Sequence, residues 1–77
     1  MVKESLEIII KGLVEHIEEV NITEKNDENG IIMQVKVAES DMGRIIGKQG
    51  RVAKAIRTVI KSIAGKEKKK VNIEFIG

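Results

Sequence analysis

The chain has no cysteine, no proline, no tryptophan and no tyrosine, and it carries one phenylalanine and one histidine. Each absence removes a class of explanation. Without cysteine there is no disulfide staple and no thiolate metal site. With His16 as the sole histidine, a metal centre is not expected, and His16 reads as a surface residue. No nucleophile meets a base anywhere in the pattern, so neither catalysis nor a small-molecule substrate or cofactor is implied. The lack of proline leaves no rigid linker marked. The longest early apolar run, Ile8-Ile9-Ile10, is too short for a signal segment or a membrane span. A soluble, cytoplasmic protein is the expectation.

What remains is aliphatic and charged. Hydrophobic residues make up 42% of 77 residues, which suits one small domain over residues 1–77. Leu6, Ile9, Ile10, Leu13, Val14 and Ile17 recur at helical spacing and predict an amphipathic helix over 2–18, with Gly12 marking a close packing contact. Val20 to Lys25 predict a short strand, and 25–30 a polar turn ending in Asn29-Gly30. Ile31 to Val37 alternate, with Ile31, Met33, Val35 and Val37 on one face. Glu39-Ser40-Asp41 offer a cap for a helix over 42–46. A longer helix is expected from Arg51 to about Ala64, stopped by Gly65. Its apolar stripe is Val52, Ile56, Val59, Ile60 and Ile63, opposite Arg51, Lys54, Arg57 and Lys61. A final strand holds Val71, Ile73 and Phe75, and the intervening crossover favours its parallel pairing with 31–37. The expected fold is α+β in the order α-β-β-α-α-β, a three-stranded mixed sheet with three helices packed on one face.

Charge is split along the chain. Residues 43–70 carry ten Lys or Arg and one acid, a balance of +9, whereas the rest of the chain carries −7. A net +2 therefore conceals one segment suited to a polyanion. Inside that segment Gly47 and Gly50 bracket Lys48-Gln49, between two helical patterns. A Cβ at either glycine would obstruct a phosphate approaching backbone N–H groups, and the helix that follows opens with unpaired N–H groups of partial positive charge.

The run Gly43-Arg-Ile-Ile-Gly-Lys-Gln-Gly-Arg51, followed by Ala55-Ile-Arg-Thr58, resembles the signature of the type II KH domain, and over essentially the full chain is similar to the small bacterial KhpA family of RNA-binding proteins. The resemblance implies a groove for single-stranded RNA. Gly47, Lys48, Gln49 and Gly50 would clamp the backbone of about four nucleotides. Arg44, Arg51 and Lys54 would help hold phosphates, and Ile45, Ile46 and Ala53 would lie around an apolar floor. Lys68, Lys69 and Lys70 would sit in a variable loop, over about 65–70, at the opposite rim. The generic pattern has a branched aliphatic residue where this chain has Ala53, so a shallower floor with weaker base contacts is expected. Post-transcriptional regulation or RNA chaperoning, with a partner, is the implied role. That partner is either a second copy of the chain or a larger KhpB-like protein carrying its own KH domain.

Rival readings are weaker. The Walker pattern fails because only three residues separate Gly43 from Gly47 and Gln49 replaces the hydroxyl ligand. A dinucleotide fold lacks both its glycine pattern and enough chain. With Phe75 expected in the core, stacking of bases on aromatic platforms is poorly supported. Single-stranded DNA and a pure dimerisation module stay open.

Overall fold

The computed structural model describes residues 2–76, and of Lys48 the backbone only. Helix α1 spans Val2–Leu13, strand β1 Asn21–Asp27, β2 Gly30–Lys36, helix α2 Glu39–Lys66 and β3 Val71–Ile76, with a single 3-10 turn at Ile17–Glu19. Gln49 and Gly50 have φ of 63° and 70°. Two successive left-handed residues cannot continue a right-handed helix, so α2 consists of two arms. With α1 these make three helices, and the expected order α-β-β-α-α-β is the observed one.

The sheet order is β1-β2-β3. β1 pairs antiparallel with β2, and β2 pairs parallel with β3, Ile31 lying opposite Val71 and Val35 opposite Phe75. Alternation decides which side is covered. Ile22, Met33, Val35, Val71 and Ile73 are buried beneath the helices, along with Leu6 and Ile10 of α1 and Ile45, Ala53, Ile56 and Ile60 of α2. Full burial of a side chain such as Leu6, Ile10 or Ile60 contributes roughly 1.5–3 kcal/mol, and this aliphatic cluster supplies what disulfides would otherwise provide. No helix among the described residues is long and apolar enough to cross a membrane.

The structure corrects several boundaries. α1 stops at Leu13 instead of 18, leaving Leu13 and Ile17 exposed. The buried carboxylate of Asp41 explains the stop. It accepts the N–H groups of Glu15 and His16, both at 3.0 Å, and draws the chain away from the helical path. Asp41 is therefore a tie between α1 and α2, not a cap. The α2 cap position is Ala38, with no side-chain hydrogen bond, and its carbonyl accepts the N–H groups of Asp41 and Met42. Gly12 is exposed, and a Cβ there would meet nothing, so it marks no close contact.

The hairpin is tighter than expected. Asp27 pairs with Gly30, leaving Glu28-Asn29 as the loop, and the Asp27 carboxylate accepts the Asn29 N–H at 2.7 Å. Gly30 has φ of 131°, and a Cβ there would lie 2.5 Å from the Lys70 carbonyl oxygen. That carbonyl accepts the Ile31 N–H at 2.9 Å, fastening the hairpin to the loop before β3. Gly65 does not end α2. The helix runs to Lys66 and is closed by Lys68 at φ 57°, with the Lys69 N–H returning to the Ala64 carbonyl at 2.9 Å.

Candidate nucleic-acid interface

The first arm of α2 is anchored by Met42 and Ile45, both buried, and by Asp41. The carboxylate pKa of Asp41 is lowered, first by the Glu15 N–H and then, against the cost of burial, by that of His16. This arm carries the turn out to the surface, where Gln49 is exposed and Gly47 and Gly50 are half-buried. A Cβ added at Gly47 or Gly50 would meet no protein atom within 4 Å. The space over both glycines is thus open to an approaching backbone, and the first N–H groups of the second arm face the break. The tip role assigned to the Lys48 side chain lies outside what the structure describes.

The second arm buries Ala53, Ile56, Ile60 and Ala64 against the sheet and leaves Arg51, Lys54 and Lys61 exposed. Arg51 and Lys54 follow the turn as exposed cations, and Gln49 and Ile46 are exposed beside it in the chain. Ile45 and Ala53 do not belong to that surface. They are 1% and 4% exposed, respectively, and support the turn from beneath, so their side chains have no face to offer a ligand. The small size of Ala53 is thereby explained by packing and not by a shallow floor. Arg44 is exposed and pairs with Glu15 on the α1 side. An exposed pair of this kind is worth only about 0–1 kcal/mol, so a phosphate competes for the guanidinium at little cost.

Lys68, Lys69 and Lys70 are exposed but distant. They follow the second arm, whose length from Gly50 to Lys66 is about 24 Å at the helical rise. There they border a depression shared with Glu24, Asp27 and Glu28 of the hairpin. The expected rim opposite the turn is therefore at the far end of α2, partly balanced by acids. His16, Glu18 and Glu19 bring ligand-type atoms within 4.8 Å of one another on the surface, an arrangement common without an ion.

Sequence reasoning passed over one residue. β3 is an edge strand, and α2 packs against it. Arg57 bridges the two. Its guanidinium carbon lies 5.3 Å from the centre of the Phe75 ring, and its Nε–H donates to the Ile73 carbonyl at 3.3 Å. Arg57 looked like one more member of a solvated basic stripe, and only the packing of α2 on β3 distinguishes it from Lys54 and Lys61.

Comparison with known proteins identifies the family. A family model described as the KH domain of KhpA/KhpB matches residues 3–75. The RNA-binding protein KhpA of Clostridium perfringens is 55% identical over 74 residues, covering 96% of this chain and 99% of that protein. KhpA of Clostridium acetobutylicum is also 55% identical over 74 residues, with the same coverage. RNA-binding protein KhpA of Chlamydia trachomatis is 46% identical over 74 residues, 96% of this chain and 95% of its own. No solved structure matches.

Proposed function

Because the chain belongs to the KhpA/KhpB family of KH domains, we propose that it binds single-stranded RNA, clamping a short stretch of backbone with residues 47–50. One observation carries this reading. The backbone reverses at Gln49 and Gly50 with open space above both glycines, directly before an arm that exposes Arg51, Lys54 and Lys61. The reversal offers N–H groups to phosphate oxygens, while Arg51 and Lys54 add point charges and Ile46, 48% exposed, offers an apolar surface to a base. The chemistry is binding, with no reacting group required.

A clamp of about four nucleotides gives modest affinity on its own, so the RNA is held together with a second module, either another copy of this chain or a larger KhpB-like partner. Post-transcriptional regulation or chaperoning of RNA in the cytoplasm is the role that the family resemblance implies for such a binder. Single-stranded DNA shares the backbone and base chemistry and is the competing ligand.

The deciding experiment is a salt titration on short single-stranded RNA, with matched DNA and a hairpin stem of equal charge alongside. For about three phosphate contacts, log K against log salt falls with a slope near roughly −2. The duplex stem binds more weakly, because its bases are paired and stacked. A steep slope with equal or tighter binding to the stem would leave only a diffuse basic surface and refute the clamp.

A further inference from the structure

The second arm of α2 bears two kinds of cation. Arg51, Lys54 and Lys61 reach into solvent, as phosphate contacts do. Arg57 does not. It is half-buried, its guanidinium carbon over the Phe75 ring and its Nε–H committed to the Ile73 carbonyl. Both partners are neutral, and among the described residues no carboxylate pairs with it. Glu74, the nearest acid in sequence on β3, turns to the other face of the sheet and accepts from Gln34 at 3.2 Å. A half-buried guanidinium with one of its five N–H donors satisfied is left with its terminal amino groups available. Arg57 lies about 10 Å along the arm from Gly50, some two helical turns from the turn that would hold the backbone.

A phosphate needs no fixed plane and is served by the exposed lysines. A planar fork held against the edge strand β3 instead suits a planar acceptor pair. Among the bases, guanine presents that pair as O6 and N7, and bidentate contact from arginine to those two atoms is the commonest specific contact to a base. In single-stranded RNA these atoms are exposed. We propose that Arg57 reads a guanine, its terminal amino groups donating to O6 and N7 while Phe75 and the Ile73 carbonyl hold it in place. This rests on the RNA-binding reading above and adds to it a base preference that the exposed Ile46 alone would not supply.

The test uses the whole chain and uridine-rich single-stranded RNA with one guanine stepped through the oligonucleotide. At the position of tightest binding the guanine is replaced by 7-deazaguanine, which loses the N7 acceptor and keeps the pairing edge. The wild-type protein should lose about tenfold in affinity, the scale of one charge-assisted hydrogen bond. Arg57→Met keeps an unbranched side chain over Phe75 but has no donor, and should bind both oligonucleotides equally. A purely structural brace would change affinity for both without changing their ratio. If the wild type binds guanine and 7-deazaguanine alike, the guanine assignment falls and general RNA binding stands, with Arg57 a phosphate contact or a brace. If Arg57→Met still discriminates, another residue reads the base. No binding to any single strand would overturn the RNA-binding reading itself. NMR of the wild-type Arg57 side chain gives a second measurement, free of any folding defect in the variant: its signal should shift with the guanine oligonucleotide, and an unmoved signal would overturn the assignment.

Discussion

Gly47 and Gly50 are expected to respond oppositely to the same substitution, which separates folding from binding. Neither position opposes a Cβ sterically, since no protein atom lies within 4 Å of one. What differs is the backbone. Gly47 lies in the helical first arm, where alanine is favoured over glycine by about 0.5–1 kcal/mol. Gly50 sits at φ 70°, where a side chain costs about 1–2 kcal/mol. For a domain of this size each kcal/mol moves the melting temperature by about 4–8 °C. Gly47→Ala should therefore melt about 2–8 °C higher than wild type, and Gly50→Ala about 4–16 °C lower. Both methyl groups project into space that the proposed RNA backbone would occupy, so both variants should bind short single-stranded RNA more weakly. Circular dichroism melts and fluorescence anisotropy measure the two effects. The informative protein is Gly47→Ala, more stable than wild type yet weaker in binding. If it bound RNA as wild type does, the approach over Gly47 would not be the path of the backbone.

Three further outcomes follow from the packing and charge. Ala53→Ile overfills a buried site and should lower stability by about 1–3 kcal/mol, read by urea denaturation, and unchanged stability would place Ala53 outside the core. Asp41→Asn should be less stable than wild type near neutral pH. The Asp41 pKa is lowered in the fold, chiefly by the Glu15 N–H, so its contribution is fully present above the unfolded value of about 3.9 and is lost as pH falls through the folded value. The gap between Asn and wild type should therefore close in acid, and a gap independent of pH would refute the carboxylate tie. Replacing Lys68, Lys69 and Lys70 by Gln should spare oligonucleotides of about four nucleotides and weaken longer ones without reordering their sequence preferences, whereas a changed ranking in an anisotropy panel would give this loop a part in base readout.

Much of this was legible in one sequence because period and burial coincide. Met33, Val35, Val71 and Ile73 alternate and are buried, and Ile56 and Ile60 are where helical spacing puts them. The turn was visible at Gly50, which takes a left-handed backbone, whereas Gln49 takes one without being a glycine and Gly47 stays helical. Other features depended on long-range partners that no local pattern encodes. The end of α1 is set by a carboxylate 25 and 26 residues away in sequence. Gly65 looks like a helix stop, yet the helix is closed at Lys68, whose own N–H returns to the Gly65 carbonyl while those of Glu67 and Lys69 return to Ala64. Ile45 and Ala53 were placed on the floor of a groove because the motif includes them, but the arm's rotation turns them inward. The role of Arg57 required knowing that the chain's sole phenylalanine lies under it.

The reversal at Gln49 and Gly50 also bears on how quickly the protein folds. β2 and β3 pair across 40 residues, from Ile31 to Val71, and both arms of α2 lie inside the loop that this pairing must close. Closure over such a span is paid in chain entropy before the parallel strands gain contact. The angle fixed at residues 49–50 directs the second arm back over the sheet and so determines how readily β3 finds β2. A substitution that makes this corner floppy should slow the search as well as blunt ligand capture, so one dipeptide sits under two constraints, one kinetic and one of recognition, and variation tolerated by either alone is narrowed by both.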